Sequence, residues 1–456
     1  MKKILLLILI VTNLNMYSQY NFSEVEKILN DSLNQIAGFG KGASLLLIKD
    51  GQKIFDKGFT LEGETEFNSA KMIPIASASK WLSGAVIIKL VDEGRLSLDD
   101  TIGKFFPNIA YPKSSISIRQ LFSHTSGFPA SEETACLGEK NITLDDCVNQ
   151  LLELDLVYQP GQFFGYGGIS MHIGGRIAEI ASGIKMSSGL AWNQLFNDYI
   201  AEPCKMPNTR YGLNPVKETT NPRISGGVYS NAYEYANFLQ MLINKGEFSG
   251  IRILSEKSVS ELHKDQTNGA KLLFSPHSKY TYLSDGKTEY KYGIGNWREQ
   301  SVIEPENEFE SSSQGAFGFS PWIDYKRNMI GVLSVFSDLD QVMPTYIKVK
   351  KAVKDAVDKP SSVKEISKNK KSLGLQISPN PVVSNAEFSF YLPKQGDVSI
   401  KIYNILGNEI DTVVEKNLPE GEHKYNIDLS RHPSSIYICK FKYNEFMESS
   451  KFYISK

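Results

Sequence analysis

The sequence predicts an α+β domain followed by a small β-sandwich. A helical pattern and a hairpin open the chain, helical segments fill its middle, and a continuous apolar strand comes late. This order is typical of an α+β domain whose sheet joins both ends of the region. Beyond residue 357 the pattern changes to short runs of alternating apolar and polar residues, which indicates a β-sandwich.

The first residues have the pattern of an export signal. Lys2 and Lys3 precede an apolar run at residues 4–11 that is too short to cross a bilayer. We expect a signal peptide over residues 1–18, with cleavage near Ser18; an N-terminal membrane anchor is the alternative. Export through the periplasm to the cell surface or medium is therefore predicted, with no stable membrane span.

Local signals define the elements of the α+β domain, residues 20–356. Residues 22–37 have an amphipathic helical pattern, and Asp50-Gly51 between two apolar runs is a tight-hairpin signal. Residues 329–336 are continuously apolar, as in a central strand. Further helices are predicted at residues 77–93 (ending at Gly94), 170–181 (ending at Gly183), 231–244 (ending at Gly246) and 255–263.

Composition changes at the end of this domain. Residues 357–373 are rich in Lys and Ser and almost free of large apolar residues, which is typical of a solvated linker. In residues 374–456, apolar Val398, Ile400 and Ile402 alternate with polar neighbours, and turn signals separate the runs. This period of two predicts the strands of the sandwich.

Charge and composition exclude some classes of function. A net charge of -1 offers no basic excess for phosphates, so we expect no nucleic-acid partner. The six histidines lack metal-ligand spacing, so we expect no metal site. Cys136 and Cys147 flank one short polar segment and are either bridged or two buried thiols, whereas Cys204 and Cys439 have no evident partner.

The stretch IASASKWLSG, residues 75–84, contains the candidate nucleophile. Ser77 and Lys80 are three residues apart, so on a helix their side chains share a face. A serine that begins a helix also has an unpaired N–H at the positive end of the helix dipole, where it can stabilise an oxyanion. The spacing is unspecific, because it recurs from Ser182 to Lys185 and elsewhere. Alone, the spacing favours an N-cap serine followed by a solvated lysine over a catalytic pair.

Several segments in order resemble the serine β-lactamase-like family over residues 23–355. They are IASASKWLSGAVIIKLVDEGRLSLDDTI with SIRQLFSHTSGFP, PGQFFGYGGISMHIGGRIAEIASG, SGGVYSNAYEYANFLQMLINKG and SSSQGAFGFSPWIDYKRNMIGVLSVFSD. This family contains class C β-lactamases, low-molecular-weight penicillin-binding proteins, D-aminopeptidases and related esterases. The resemblance implies a β-lactamase/transpeptidase-like domain: an antiparallel sheet flanked by helices, plus an all-helical region.

The resemblance also assigns roles to individual positions. Ser77 matches the acylated nucleophile, Lys80 its base partner, and Tyr166 the tyrosine that relays a proton to the leaving group. Gly315 matches the glycine of the third motif. The N–H of Ala316 would then complete the oxyanion hole with that of Ser77. This chemistry requires no metal or organic cofactor.

Two positions depart from the family pattern. Gly168 stands where the second motif usually has Asn or Ser, and Ser313-Gln314 stand where the third motif begins with Lys or His. The missing amide would orient the lysine, and the missing cation would bind a substrate carboxylate. Gly168, Ser313, Gln314 and Gly315 are nevertheless the predicted substrate-binding positions. The departures favour ester hydrolysis over penicillins and D-amino-acid peptides.

Other polar residues are weaker candidates. His124, within SHTSG, is interpreted as structural support, because its neighbours suit a hydrogen-bonded turn. His172 and Arg176 either line the pocket or lie on a helix surface. Trp81 is expected in the core.

The predicted function is that of a secreted serine hydrolase with a small-molecule or peptide substrate, most simply an ester or amide. β-Lactamase, D,D-peptidase or D-aminopeptidase activity is one alternative, and a catalytically silent binding protein on the same fold is another. The tail, from ISPNPVVSNAEFSFYLP to KFYISK, resembles the C-terminal sorting domain of the type IX secretion system of Bacteroidetes. Its implied partner is the secretion machinery; a carbohydrate- or surface-binding sandwich is the alternative.

Overall fold

The computed structural model describes residues 20–35, 39, 42–130, 135–278, 288–302, 309–359, 375–405, 407–444 and 446–456. The signal peptide predicted at residues 1–18 and most of the predicted linker lie outside these residues. The described chain forms two compact units, one spanning Tyr20–Lys359 and the other containing the residues from 375 onwards.

The first unit contains helices and strands in alternation. Its helices are α1 Ser23–Gln35, α2 Ser79–Asp92, α3 Ile102–Phe105, α4 Ile118–Phe122, α5 Leu144–Glu153, α6 Ile169–Ser182, α7 Leu190–Phe196, α8 Ala232–Ile243, α9 Glu256–His263 and α10 Leu339–Asp358. Its strands are β1 Ala43–Lys49, β2 Gln52–Phe59, β3 Ile73–Pro74, β4 Phe163–Gly165, β5 Arg210–Tyr211, β6 Val228–Ser230, β7 Glu247–Phe248, β8 Ile251–Arg252, β9 Lys271–Phe274, β10 Thr288–Tyr292, β11 Trp297–Ser301, β12 Phe309–Ser312, β13 Ser320–Asp324 and β14 Met329–Val335.

The main sheet of this unit has the strand order β10-β11-β12-β13-β14-β1-β2, and every pairing in it is antiparallel. Side chains of β1 alternate between its two faces. Leu46 packs with Trp81 and other residues of α2 and α8, whereas Leu45 and Leu47 pack with residues of α1 and α10. The sheet therefore has a helical layer on each face, and the predicted α+β fold is confirmed.

The predicted helices 77–93, 170–181, 231–244 and 255–263 correspond to α2, α6, α8 and α9. One boundary is wrong: the helix begins at Ser79, and Ser77 lies in a separate 3-10 turn, Ala76–Ala78. The change matters because Ser77 now precedes the helix instead of forming part of its first turn.

The second unit is a β-sandwich, as predicted. Its strands are β15 Gln376–Ser378, β16 Asn385–Leu392, β17 Gly396–Asn404, β18 Glu409–Leu418, β19 Gly421–Asp428, β20 Ser435–Tyr443 and β21 Phe446–Ile454. They form two sheets, ordered β15-β16-β19 and β18-β17-β20-β21. Val398, Ile400 and Ile402 are buried between them, as their alternation with polar residues predicts.

Two properties that were open at the sequence level are visible in the fold. Cys136 and Cys147 form a disulfide, and Cys204 and Cys439 are buried thiols. Burial raises the pKa of each of these thiols to about 12, so neither is a reactive thiolate. Within the described ranges, we find no helix with the length and apolar composition needed to cross a membrane.

Candidate active site

The turn that carries Ser77 is fixed by hydrogen bonds from the neighbouring elements. Tyr235 Oη of α8 donates to the Ala78 carbonyl at 2.7 Å. The Val228 N–H donates to Ser79 Oγ at 3.1 Å, and this strand residue also accepts from the Ile75 N–H. These bonds anchor the backbone on both sides of Ser77. Ala76 has a φ of +45°, which is uncommon for a residue with a side chain.

Ser77 and Lys80 form a close pair. Lys80 Nζ donates to Ser77 Oγ at 3.0 Å and to the carbonyl oxygen of Ser225 at 2.9 Å. The Lys80 side chain is completely buried, whereas Ser77 is partly exposed. A substrate can therefore approach the hydroxyl from solvent while the amine contacts it from the interior.

Tyr166 completes this group. It follows β4 and lies just before α6, whose N-cap is Gly168. Its ring is 4.7 Å from Lys80 Nζ and stacks on Trp297 at a centroid distance of 5.1 Å. The structure thus brings Ser77, Lys80 and Tyr166 together from three separate parts of the sequence.

His124 lies behind Tyr166, at a ring distance of 4.7 Å. It is buried, and its Nδ1 accepts a long hydrogen bond of 3.5 Å from the Gly167 N–H. Burial, with a smaller contribution from the charge of Lys80, holds the pKa of His124 well below its ordinary range. A neutral ring that supports the second motif agrees with the structural role expected from the sequence.

The third motif lies directly against the nucleophile turn. Ser313 Oγ donates to the carbonyl oxygen of Ser77 at 3.1 Å. A Cβ on Gly315 would overlap the carbonyl oxygen of Ile75, so the two backbones can approach this closely only at a glycine. Ala316, the next residue, is exposed. The backbone groups expected to form an oxyanion hole thus belong to adjoining segments.

Gln314 has its contacts elsewhere. Its side chain is buried, and its amide donates to Ser312 Oγ at 2.9 Å and to Tyr346 Oη at 3.2 Å. The same cluster contains Glu299, which accepts from Lys350 at 2.8 Å. The substrate-binding role predicted for Gln314 remains a prediction that these amide contacts do not support.

Two other predicted residues have structural partners. His172 Nε2 is 2.9 Å from Asn221 Oδ1 in the interior, and burial lowers its pKa to about 4. Arg176 donates to Asp145 Oδ1 at 2.6 Å. Both residues tie α6 to neighbouring segments, and Trp81 is fully buried in the core as expected.

Sequence reasoning missed Ser225. Its contribution is a main-chain carbonyl that contacts Lys80, and a carbonyl has no residue-type signal. The segment SGGVYS could have been noted for its two glycines, but not for this contact. Among the residues with described positions, we find no group of three or more His, Cys, Asp or Glu side chains placed to hold a metal ion.

Comparison with known proteins gives two family matches. Residues 34–335 match the family described as Beta-lactamase. Residues 376–455 match the Secretion system C-terminal sorting domain, which confirms the predicted sorting domain and with it the predicted export.

Individual relatives agree with the first match. Protein flp from Staphylococcus aureus (strain MW2) is 28% identical over 204 residues, or 41% of this chain and 39% of that protein. The D-alanyl-D-alanine-carboxypeptidase/endopeptidase AmpH of Escherichia coli (strain K12) is 25% identical over 235 residues, or 45% of this chain and 59% of that protein. The chain thus covers less than two thirds of these relatives.

A solved structure is similar to most of this chain. The crystal structure of a candidate beta-lactamase from Bacteroides dorei DSM 17855 has a TM-score of 0.63 and 27% sequence identity. The match covers 74% of this chain and 99% of that one.

Proposed function

Because this chain belongs to the beta-lactamase family, we propose that it is a secreted serine hydrolase that acts through an acyl-enzyme on Ser77. The observation that carries the proposal is the 3.0 Å contact between Ser77 Oγ and the buried Lys80 Nζ. A serine hydroxyl is a weak nucleophile until a neighbouring base accepts its proton. Lys80 is a nitrogen base within hydrogen-bond reach of that hydroxyl.

The proposed reaction has two stages. Lys80, assisted by Tyr166, takes the proton of Ser77 Oγ as this oxygen attacks an ester carbonyl. The resulting oxyanion accepts hydrogen bonds from the N–H groups of Ser77 and Ala316. Tyr166 passes the proton to the departing alcohol, which leaves an acyl group on Ser77. Water then attacks the acyl-enzyme by the same route and releases the acid.

The preference for esters rests on two chemical groups, an amide and a cation, that positions 168 and 313 do not supply. Gly168 offers no amide to contact a substrate amide, and Ser313 offers no cation to bind a substrate carboxylate. Ser313 Oγ already donates to the Ser77 carbonyl, so its hydroxyl serves the turn. An ester needs neither missing group.

A second candidate function is D,D-peptidase activity. It is favoured by the similarity to AmpH, whose name states a D-alanyl-D-alanine-carboxypeptidase/endopeptidase. Hydrolysis of a D-Ala-D-Ala peptide or of nitrocefin at rates comparable to those of an ester would replace the ester preference.

Labelling by a fluorophosphonate and turnover of p-nitrophenyl acetate test the proposal. We expect both in the wild-type protein and a loss of at least about 10³-fold in Ser77→Ala. Ser182→Ala is a matched control, because Ser182 and Lys185 have the same spacing and Ser182 Oγ instead bonds the Glu179 carbonyl. If the wild type is labelled no better than Ser77→Ala, the proposed acyl-enzyme on Ser77 is wrong; absence of both labelling and turnover would favour the silent binding protein.

A further inference from the structure

Exposed apolar side chains occur in two segments that adjoin the site, and we call them together the apolar rim. The first segment is part of β9 and contains Leu272, Leu273 and Phe274. The second consists of Phe317 and Phe336, whose rings are 6.0 Å apart. Between 39% and 62% of each of these side chains is exposed. Scattered apolar residues are normal on surfaces, but contiguous ones mark binding sites.

The first segment is hydrogen-bonded to the residues that hold Tyr166. β9 pairs in parallel with β4, the strand that ends one residue before Tyr166. The Tyr166 N–H donates to the Phe274 carbonyl at 3.1 Å. A Leu273 methyl carbon is 3.7 Å from the position that a Cβ on Gly165 would occupy. This part of the rim therefore lies beside the segment that carries Tyr166.

The second segment flanks the oxyanion side. Phe317 directly follows Ala316, the proposed oxyanion donor, and its carbonyl accepts from the Ser337 N–H at 3.0 Å. This bond holds Phe336, the neighbour of Ser337, beside Phe317. Apolar side chains thus lie beside both the segment that carries Tyr166 and the segment that carries Ala316.

We infer that the apolar rim binds the acyl chain of the substrate, and that this chain is apolar and uncharged. The inference rests on the proposed ester hydrolysis and names its substrate class. Ser313, at the position where the family has a cation, supplies none for an acyl chain that ends in a carboxylate. An apolar chain gains affinity wherever it removes rim surface from water.

A series of p-nitrophenyl esters from acetate to octanoate tests the inference. Each fully buried methylene is worth about a fourfold change in kcat/KM, so we expect a rise of about 20-fold or more between acetate and hexanoate. An ester whose chain of similar length ends in a carboxylate should react at least about tenfold more slowly than its neutral counterpart.

Two rim variants and one control test whether the rim causes the chain-length dependence. Leu273→Ser and Phe317→Ser should flatten the chain-length dependence, measured as the ratio of kcat/KM on the hexanoate ester to that on the acetate ester. Ile251→Ser is the matched control, because Ile251 lies on β8 and has the same 53% exposure as Leu273. It should leave the dependence unchanged.

The outcomes separate this inference from the proposed function. A flat chain-length profile in the wild type, or an unchanged slope in both rim variants, overturns the inference while ester hydrolysis stands. Absence of ester turnover contradicts the proposed function instead. The rim is then tested by the labelling rate of Ser77 with methyl and hexyl fluorophosphonates, where equal rates overturn it.

Discussion

Lys80 contacts one neighbouring residue and two groups that are distant in the sequence. It contacts Ser77 one turn away, the Ser225 carbonyl in the segment before β6, and the ring face of Tyr166. The Ser225 carbonyl orients the amine from a second side, which is the function that an amide at Gly168 would otherwise serve. The departure at Gly168 therefore does not leave the lysine without an orienting group.

At Gly315 we expect the addition of a single methyl group to have a large effect on activity. A Cβ there overlaps the Ile75 carbonyl, which is backbone and cannot rotate away. Gly315→Ala should move the Ala316 N–H and lower kcat by about 10²-fold or more, as for loss of an oxyanion donor. Ester turnover under saturating substrate measures this.

Gly138→Ala is the control for that experiment. A Cβ on Gly138 has no neighbouring atom within 4 Å, so activity should stay within about twofold of wild type. If Gly315→Ala were as active as Gly138→Ala, the third motif would not position an oxyanion donor.

Part of the candidate site could be predicted from the sequence. Ser77, Lys80 and Tyr166 belong to segments whose order matches a known family, and the structure brings these three side chains together. The Ser225 carbonyl was not predictable, since every residue has one. The burial of Gln314 was not predictable either. A side chain within a motif can point into the interior or towards the site, and packing decides between these two directions.

Glu179 joins two helices in the region that begins with the second motif. It lies on α6 and is buried, and its carboxylate accepts from the backbone N–H groups of Gly189 at 2.6 Å and Trp192 at 3.0 Å. These groups belong to the first turn of α7 and its N-cap. Acidic groups are favourable there, because the first N–H groups of a helix have no partner within it.

Glu179→Ala should destabilise the first unit strongly. Two buried N–H groups would lose their acceptors, at a cost of about 2–5 kcal/mol in the free energy of unfolding. Glu179→Gln keeps one acceptor oxygen and should cost less. Urea unfolding at pH 7 compares the variants, with Glu153→Ala at an exposed position of α5 as control. Equal losses in Glu179→Ala and Glu153→Ala would contradict this role.

The elements that the sequence revealed have strong local signals. The β1–β2 hairpin turns at Asp50 and Gly51. Both residues have positive φ, as a type I′ turn requires. Strands such as β11, with the sequence WREQS, have no such signal. The sequence pattern therefore predicts no strand at these residues. Arg298 and Gln300 of β11 are nevertheless buried, and they bond each other: Arg298 Nε donates to Gln300 Oε1 at 2.8 Å.

The first unit contains four buried histidines, and burial favours the neutral form of each imidazole in the folded protein. Burial lowers the pKa of His172, His263 and His277 to about 4 and that of His124 well below its ordinary range. Unfolding returns each imidazole to water and to an ordinary pKa near 6.5. Between pH 6.5 and 4 the unfolded chain therefore binds protons that the folded chain does not.

The free energy of unfolding should accordingly fall as the pH decreases from 6.5 to 4. Each histidine contributes a slope of about 1.4 kcal/mol per pH unit at most. Tryptophan fluorescence during urea unfolding can follow this, because all four tryptophans lie in the first unit. We expect uptake of about three to four protons on unfolding near pH 5. The same free energy at pH 7 and pH 5 would contradict the assignment of neutral buried histidines.

The strand order has a consequence for how the chain matures. Within the main sheet, β1 pairs with β14, so the first strand of the unit is hydrogen-bonded to the last. During synthesis at about 5–20 residues per second, β1 waits tens of seconds before its partner emerges from the ribosome. Until then the edge of β1 that β14 covers has no strand partner. A chain destined for export gains from this delay, because a translocase threads an extended polypeptide far more easily than a closed sheet.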